Sequence, residues 1–152
     1  MSILQIPLVP PICITPDHSA LDALQLLIDY KFNHLPVCLD SKFLGLLSIN
    51  DLLLQAIPTS AKIEGGLTDL SFAGDAVGLL SSMLDQLKLL NAGSIMHSPA
   101  VTLPENCPLL EAALLLSKSD SPLPVLDEQG KLRGMLSRRV LLSYLLQNTP
   151  TK

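Results

Sequence analysis

Ser48 and Asp51 stand three apart in "FLGLLSINDLLL", where an apolar, strand-like run gives way to a leucine-rich helical pattern. Two chemistries suit that spacing. At a helix start the first backbone N–H groups lack intrahelical partners and the dipole is positive, which favours an anion such as phosphate. A carboxylate one turn further on can accept both hydroxyls of a ribose, as acidic residues do in dinucleotide folds. The same two residues also make a capping box, in which the serine accepts from helix N–H groups and the acid reaches back, for about 1 kcal/mol. Spacing leaves both readings open.

A second stretch, "LRGMLSRRVLL", repeats the layout with Ser137 in place but Val140 where the first copy has Asp51. Arg138 and Arg139 fall in the first turn of the helix that follows, where cations oppose the dipole. Either they point into solvent or pair with Asp17 or Glu105, or one of them reaches a phosphate tail. No catalytic set assembles around these residues. Ser48 and Ser137 lack a nucleophile-elbow context, and the chain has no Gly-x-x-x-x-Gly-Lys phosphate loop. Asp17, Asp22, Asp29 and Asp40 read as solvated helix and turn positions, so the chain is expected not to be an enzyme. The histidines (His18, His34, His97) share no i, i+4 spacing, and no metal site is expected. Cys13, Cys38 and Cys107 form no C-x-x-C pair, and read as buried free thiols of a reducing cytoplasm.

Composition narrows the classes further. Of 152 residues, 48% are apolar and 16% charged, enough to fill a core and too few charges for disorder. Aromatics are only 3%, with no Trp, so base stacking is poorly supplied, and the net charge of −4 argues against a phosphate-backbone binder. No nucleic-acid partner is expected. No apolar run reaches the roughly 18 residues needed to span a bilayer, so no membrane insertion is expected. The start "MSILQIPLVPP" has no basic region and breaks at prolines, unlike a signal peptide.

The elements that must position Ser48 and Asp51 emerge from an internal duplication. Pro16 pairs with Pro104, and Leu35, Pro36 and Val37 pair with Leu123, Pro124 and Val125, all at one offset. One extra residue in the second copy's turn, "DEQGK" against "DSK", then brings Gly45 to Gly134 and Ser48 to Ser137. Each copy reads as a short strand ("PICIT"; "AVTL"), a helix, two strands joined by a polar turn, and a closing helix. The first helices carry Leu21, Leu24, Leu27 and Ile28, and Leu110, Ala113 and Leu114, as their expected buried stripes. Between the copies, Pro58 to Asp75 reads as loop. The helix after it has an apolar stripe of Val77, Leu80, Leu84 and Leu87, widened by Met83 and Leu90. That stripe suits core packing, a dimer face or a lid. The expected divisions are 1–57, 58–94 and 95–149. The fold class is α+β with α/β-type layers, two β-α-β-β-α repeats packed with pseudo-twofold symmetry, plus an inserted central helix.

The duplicated Leu-Pro-Val, the turn, Gly-x-x-Ser and the "IMHSP" lead-in to the second copy resemble the tandem cystathionine-β-synthase (CBS) domain pair, or Bateman module. The resemblance covers about Pro10 to Leu146 apart from the central insertion. It implies a regulatory module that binds an adenosine compound (AMP, ADP, ATP or S-adenosylmethionine, with or without Mg²⁺) in a cleft between the copies. It implies no catalytic cofactor, a homodimer, and signalling in trans to a regulated protein of unknown identity. The family's Gly-x-x-Ser/Thr-x-x-Asp signature falls on Gly45, Ser48 and Asp51, with the carboxylate on the ribose. By resemblance this site is completed by Val101, Thr102, Ser121, Pro122 and Leu123, while Leu46, Val101 and Leu123 would wall the adenine. A second, degenerate site would hold Ser137, Arg138, Arg139, Asn33 and His34, without the ribose carboxylate. The alternative is a ligand-free module that only dimerises and docks, with Ser48 and Asp51 as a helix cap.

Overall fold

Both Leu-Pro-Val segments become the first strand of a hairpin. In the computed structural model, which describes residues 2–8, 11–56, 76–99 and 101–149, β1 (His34–Leu39) pairs with β2 (Lys42–Ser48) as a two-stranded sheet. In the second copy β3 (Leu103–Pro104) lies parallel to β4 (Leu123–Leu126), which is antiparallel to β5 (Leu132–Leu136). The expected strand "PICIT" is reduced to one parallel bridge, Ile14 with Val37. The chain is α+β.

The turns explain the change of offset. Asp40 and Ser41 both have positive φ (52° and 70°), so two residues suffice to reverse the first hairpin, as in a primed turn. In the second hairpin the Asp127 carboxylate accepts from Gln129 and Lys131 N–H, and Gly130 takes φ 82°. The longer turn is absorbed by a register shift between Val125 and Leu126.

Helices flank these strands: α1 (Ala20–Tyr30), α2 (Ile49–Ala56), α3 (Ala76–Leu87), the short α4 (Ala92–Ile95), α5 (Leu109–Ser117) and α6 (Arg138–Asn148). Ser19 caps α1 by accepting from Asp22 N–H, and Lys31 ends it in the left-handed region. The expected stripes pack only in part: Leu27 is buried and Leu21, Leu24 and Ala113 are half-buried, but the rest turn outward. In α1 the buried residues are Ala20, Ala23 and Leu27, while Ile28 is 55% exposed. In α5 they are Ala112 and Leu116, while Leu110 is 83% exposed and Leu114 also faces solvent. The inward faces combine alanines, which permit close approach, with one leucine each, Leu27 and Leu116. Of the central stripe, Leu87 is buried and Leu84 is exposed; the side chains of Val77, Leu80 and Met83 are not described, and the loop expected over Pro58 to Asp75 lies outside the described residues.

The chain divides into two compact units. One gathers the N-terminal segment, the first hairpin's tip (Cys38–Gly45) and the second copy, around a core that includes Ile3, Leu103, Leu116, Val125 and Leu136. Within it the hairpin tips meet, as Phe43 N–H donates to Gly130 C=O and Leu132 N–H to Ser41 C=O. The other contains Ile14–Val37 and Leu46–His97 and buries Ile14, Leu35, Val37, Leu46, Leu47 and Leu52. There α4 presses on the segment before α1: Gly93 N–H donates to Pro16 C=O, and a Cβ on Gly93 would stand 2.8 Å from Pro16 Cβ.

Candidate functional site at the Ser48 helix start

The chain passes from β2 into α2 without a connecting loop, which brings Ser48 and Asp51 to the end of the sheet. Ser48 is 7% exposed, so its polar groups need partners. They have them. Ser48 N–H donates to Asp51 Oδ2 at 2.9 Å and Asp51 N–H donates to Ser48 Oγ at 2.9 Å, a reciprocal capping box. Ile49 N–H is taken by the carbonyl of Asn33 at 2.9 Å. Two of the α2 N–H groups that an anion would use are therefore already satisfied, while Asp51 keeps a half-buried carboxylate facing outward.

A histidine completes the cluster. Leu46 and His97 exchange backbone hydrogen bonds in an antiparallel bridge (2.8 and 2.9 Å), which carries "IMHSP" alongside β2. The His97 ring thereby comes to Asp51, with Nδ1 2.8 Å from Oδ2. Burial works against the Asp51 charge, but hydrogen bonds from Ser48 and His97 outweigh it and hold the carboxyl below its ordinary value. His34 enters the same field. Burial first, and His97 second, push its imidazole below the usual value, against the pull of Asp51. Asn33 and His34, expected with the second site, are thus brought to the Ser48 helix start. His97 is the residue that sequence reasoning missed; its signal was its position in the lead-in, just before the second copy. Among the described residues no three such side chains converge in a way that would hold a metal.

The second copy keeps half of the box: Ser137 Oγ accepts from Val140 N–H at 3.1 Å, and nothing reaches back from Val140. Arg138 neither stands free in solvent nor pairs with Asp17 or Glu105. Its Nε donates to Leu116 C=O at 3.1 Å and its Nη2 to Ser119 C=O, satisfying carbonyls at the end of α5, where a cation suits the dipole. Glu105 is taken by Arg133 instead, Nη1 to Oε2 at 3.1 Å. Arg139 is exposed. Ser119 also organises the segment expected to complete the first site: it donates to Ser121 C=O and accepts from Ser121 N–H. Ser121, Pro122 and Val101 are half-buried, Thr102 is exposed, and Leu123 is buried in its strand. Gly45 and Leu46 are buried in β2.

The thiols depart from expectation. All three cysteines are free, and Cys38 and Cys107 are buried as expected, but Cys13 is exposed.

Comparison with known proteins places these features in a family. A CBS domain model matches residues 4–56 and 92–147. A CBS domain-containing protein of Dictyostelium discoideum is 34% identical over 100 residues, covering 62% of this chain and 69% of that protein. The CBS-pair protein CBSX2 from Arabidopsis thaliana superposes with a TM-score of 0.77 at 25% identity, covering 99% of this chain and 98% of the other. A structure of CBSX2 in complex with AMP is likewise similar, with a TM-score of 0.68, 25% identity and 98% of each chain covered.

Proposed function

This chain belongs to the CBS domain family as a tandem pair, and from that premise we propose that it is a regulatory ligand-sensing module for an adenosine compound. The observation that carries the proposal is the Asp51 carboxylate, held ionised at the Ser48 helix start by hydrogen bonds from Ser48 and His97. Oδ2 is engaged in those bonds, and Oδ1 remains to accept from a ribose hydroxyl. The AMP complex of a 25% identical relative supports the ligand class. The second copy, with Val140 in place of the acid, offers at most a weaker site around Ser137 and Arg139. With no catalytic set in view, binding is the activity proposed. The protein acts in the cytoplasm as a homodimer and signals in trans to a regulated partner, and AMP, ADP, ATP and S-adenosylmethionine, with or without Mg²⁺, are the candidates for its ligand.

The second reading, a ligand-free interaction module, is favoured by one observation: the capping box is complete without a ligand. A thermal-shift panel with those four compounds separates the two. At 100 times Kd a ligand stabilises by about 2.7 kcal/mol, which at this size raises Tm by about 5–10 °C. The ligand-induced increment is expected to vanish in Asp51→Ala, over and above the lower starting Tm from the lost cap. A flat panel leaves Ser48 and Asp51 as a cap.

A further inference from the structure

Cys13 and Cys38 are far apart in sequence, but their sulfurs lie 3.5 Å apart, with the Cys38 thiol donating to Cys13 Sγ. We propose that this pair is an oxidation site, at which a hydroperoxide joins an exposed thiol to a buried one as a reversible intrachain disulfide. The backbone already holds the two together. Ile14, next to Cys13, pairs with Val37, next to Cys38, and donates its N–H to Pro36 C=O at 3.1 Å. Closing to a disulfide length of about 2.05 Å needs the sulfurs to approach by roughly 1.5 Å.

The two thiols are unlike in the way the chemistry requires. Cys13 is exposed, and the hydrogen bond from Cys38 holds its thiol below the ordinary value, which raises the thiolate fraction that attacks a peroxide. Cys38 is buried, and its hydrogen bond to Cys13, then burial, push its thiol up, so it is shielded from direct oxidation. Cys107 is the built-in contrast: buried, pushed up by burial and by Glu111, and near a carboxylate rather than a second sulfur.

The reaction balances in two steps. The Cys13 thiolate attacks the peroxide, an S–O bond forms, the O–O bond breaks, and the leaving oxygen takes a proton to depart as alcohol or water. The Cys38 sulfur then attacks the Cys13 sulfenic acid; the S–S bond forms, the S–O bond breaks, and the hydroxide leaves as water with the Cys38 proton. Two electrons pass from the thiols to the peroxide. The product ties the segment before α1 to the Leu-Pro-Val strand, and a dithiol reopens it.

The test uses the full, unmodified chain treated with a few equivalents of hydrogen peroxide, followed by non-reducing peptide mapping and a thermal scan. Expected are a dominant Cys13–Cys38 linked peptide, Cys107 still free, a Tm raised by about 5–10 °C over the reduced protein, and reversal of both changes by dithiothreitol. Cys13 found as sulfinic acid with Cys38 free, a disulfide through Cys107, intermolecular linkage of Cys13, or no oxidation at Cys13 would each overturn the proposal.

Discussion

At the scale of single residues, Ser48 and Asp51 make a cap that stabilises the start of α2, and the same carboxylate is the one proposed to take a ribose. The spacing contained the capping box, and the structure makes it, with both bonds at 2.9 Å. What the spacing did not contain was His97, whose ring shares the Asp51 oxygen, nor the nearby His34. These groups make stability depend on pH in one direction. His34 has its folded value depressed below 6.5, so the unfolded chain binds the proton more readily and stability falls as pH drops through 6.5. Asp51 is depressed below 3.8, so its contribution is present above that value and is lost on further acidification. Urea midpoints measured from pH 7.5 downward are expected to fall in two stages, and His34→Gln is expected to remove the upper one. A midpoint that rises on acidification would contradict both assignments.

At the scale of elements, the order strand, helix, hairpin, helix was legible in the second copy and, apart from a first strand reduced to one bridge, in the first, because turn residues and apolar period are local properties. Which helix face turns inward was not. The faces of α1 and α5 that pack carry Ala20, Ala23 and Leu27, and Ala112 and Leu116, while Ile28, Leu110 and Leu114 of the expected stripes face water. The short helix α4 was not foreseen, for it is held by neighbours distant in sequence, its first N–H groups donating to His18 and Pro16 carbonyls. Its contact is tight enough to test. Gly93→Ala would bring a methyl to 2.8 Å from Pro16 Cβ, and the overpacking is expected to cost about 1–3 kcal/mol, read as a lower urea midpoint. Unchanged stability would show that α4 yields at no cost.

At the scale of the molecule, the exposed leucines bear on assembly. Leu110 on α5 and Leu146 on α6 are 83% and 81% exposed, and the proposed homodimer would cover them. Sedimentation is expected to give twice the monomer mass, and Leu110→Glu with Leu146→Glu is expected to give monomer; a wild-type monomer at every concentration would exclude the homodimer. The sequence by itself determined the duplication, the α+β class and the family, because a repeat offset that changes once, inside a turn, needs no coordinates to be seen. Only the tertiary structure decided that Asp51 meets His97, that Arg138 serves the end of α5, and that Cys13 meets Cys38. Those pairings depend on a bridge, a helix end and a strand register that join residues far apart in the chain, and local spacing carries no record of them.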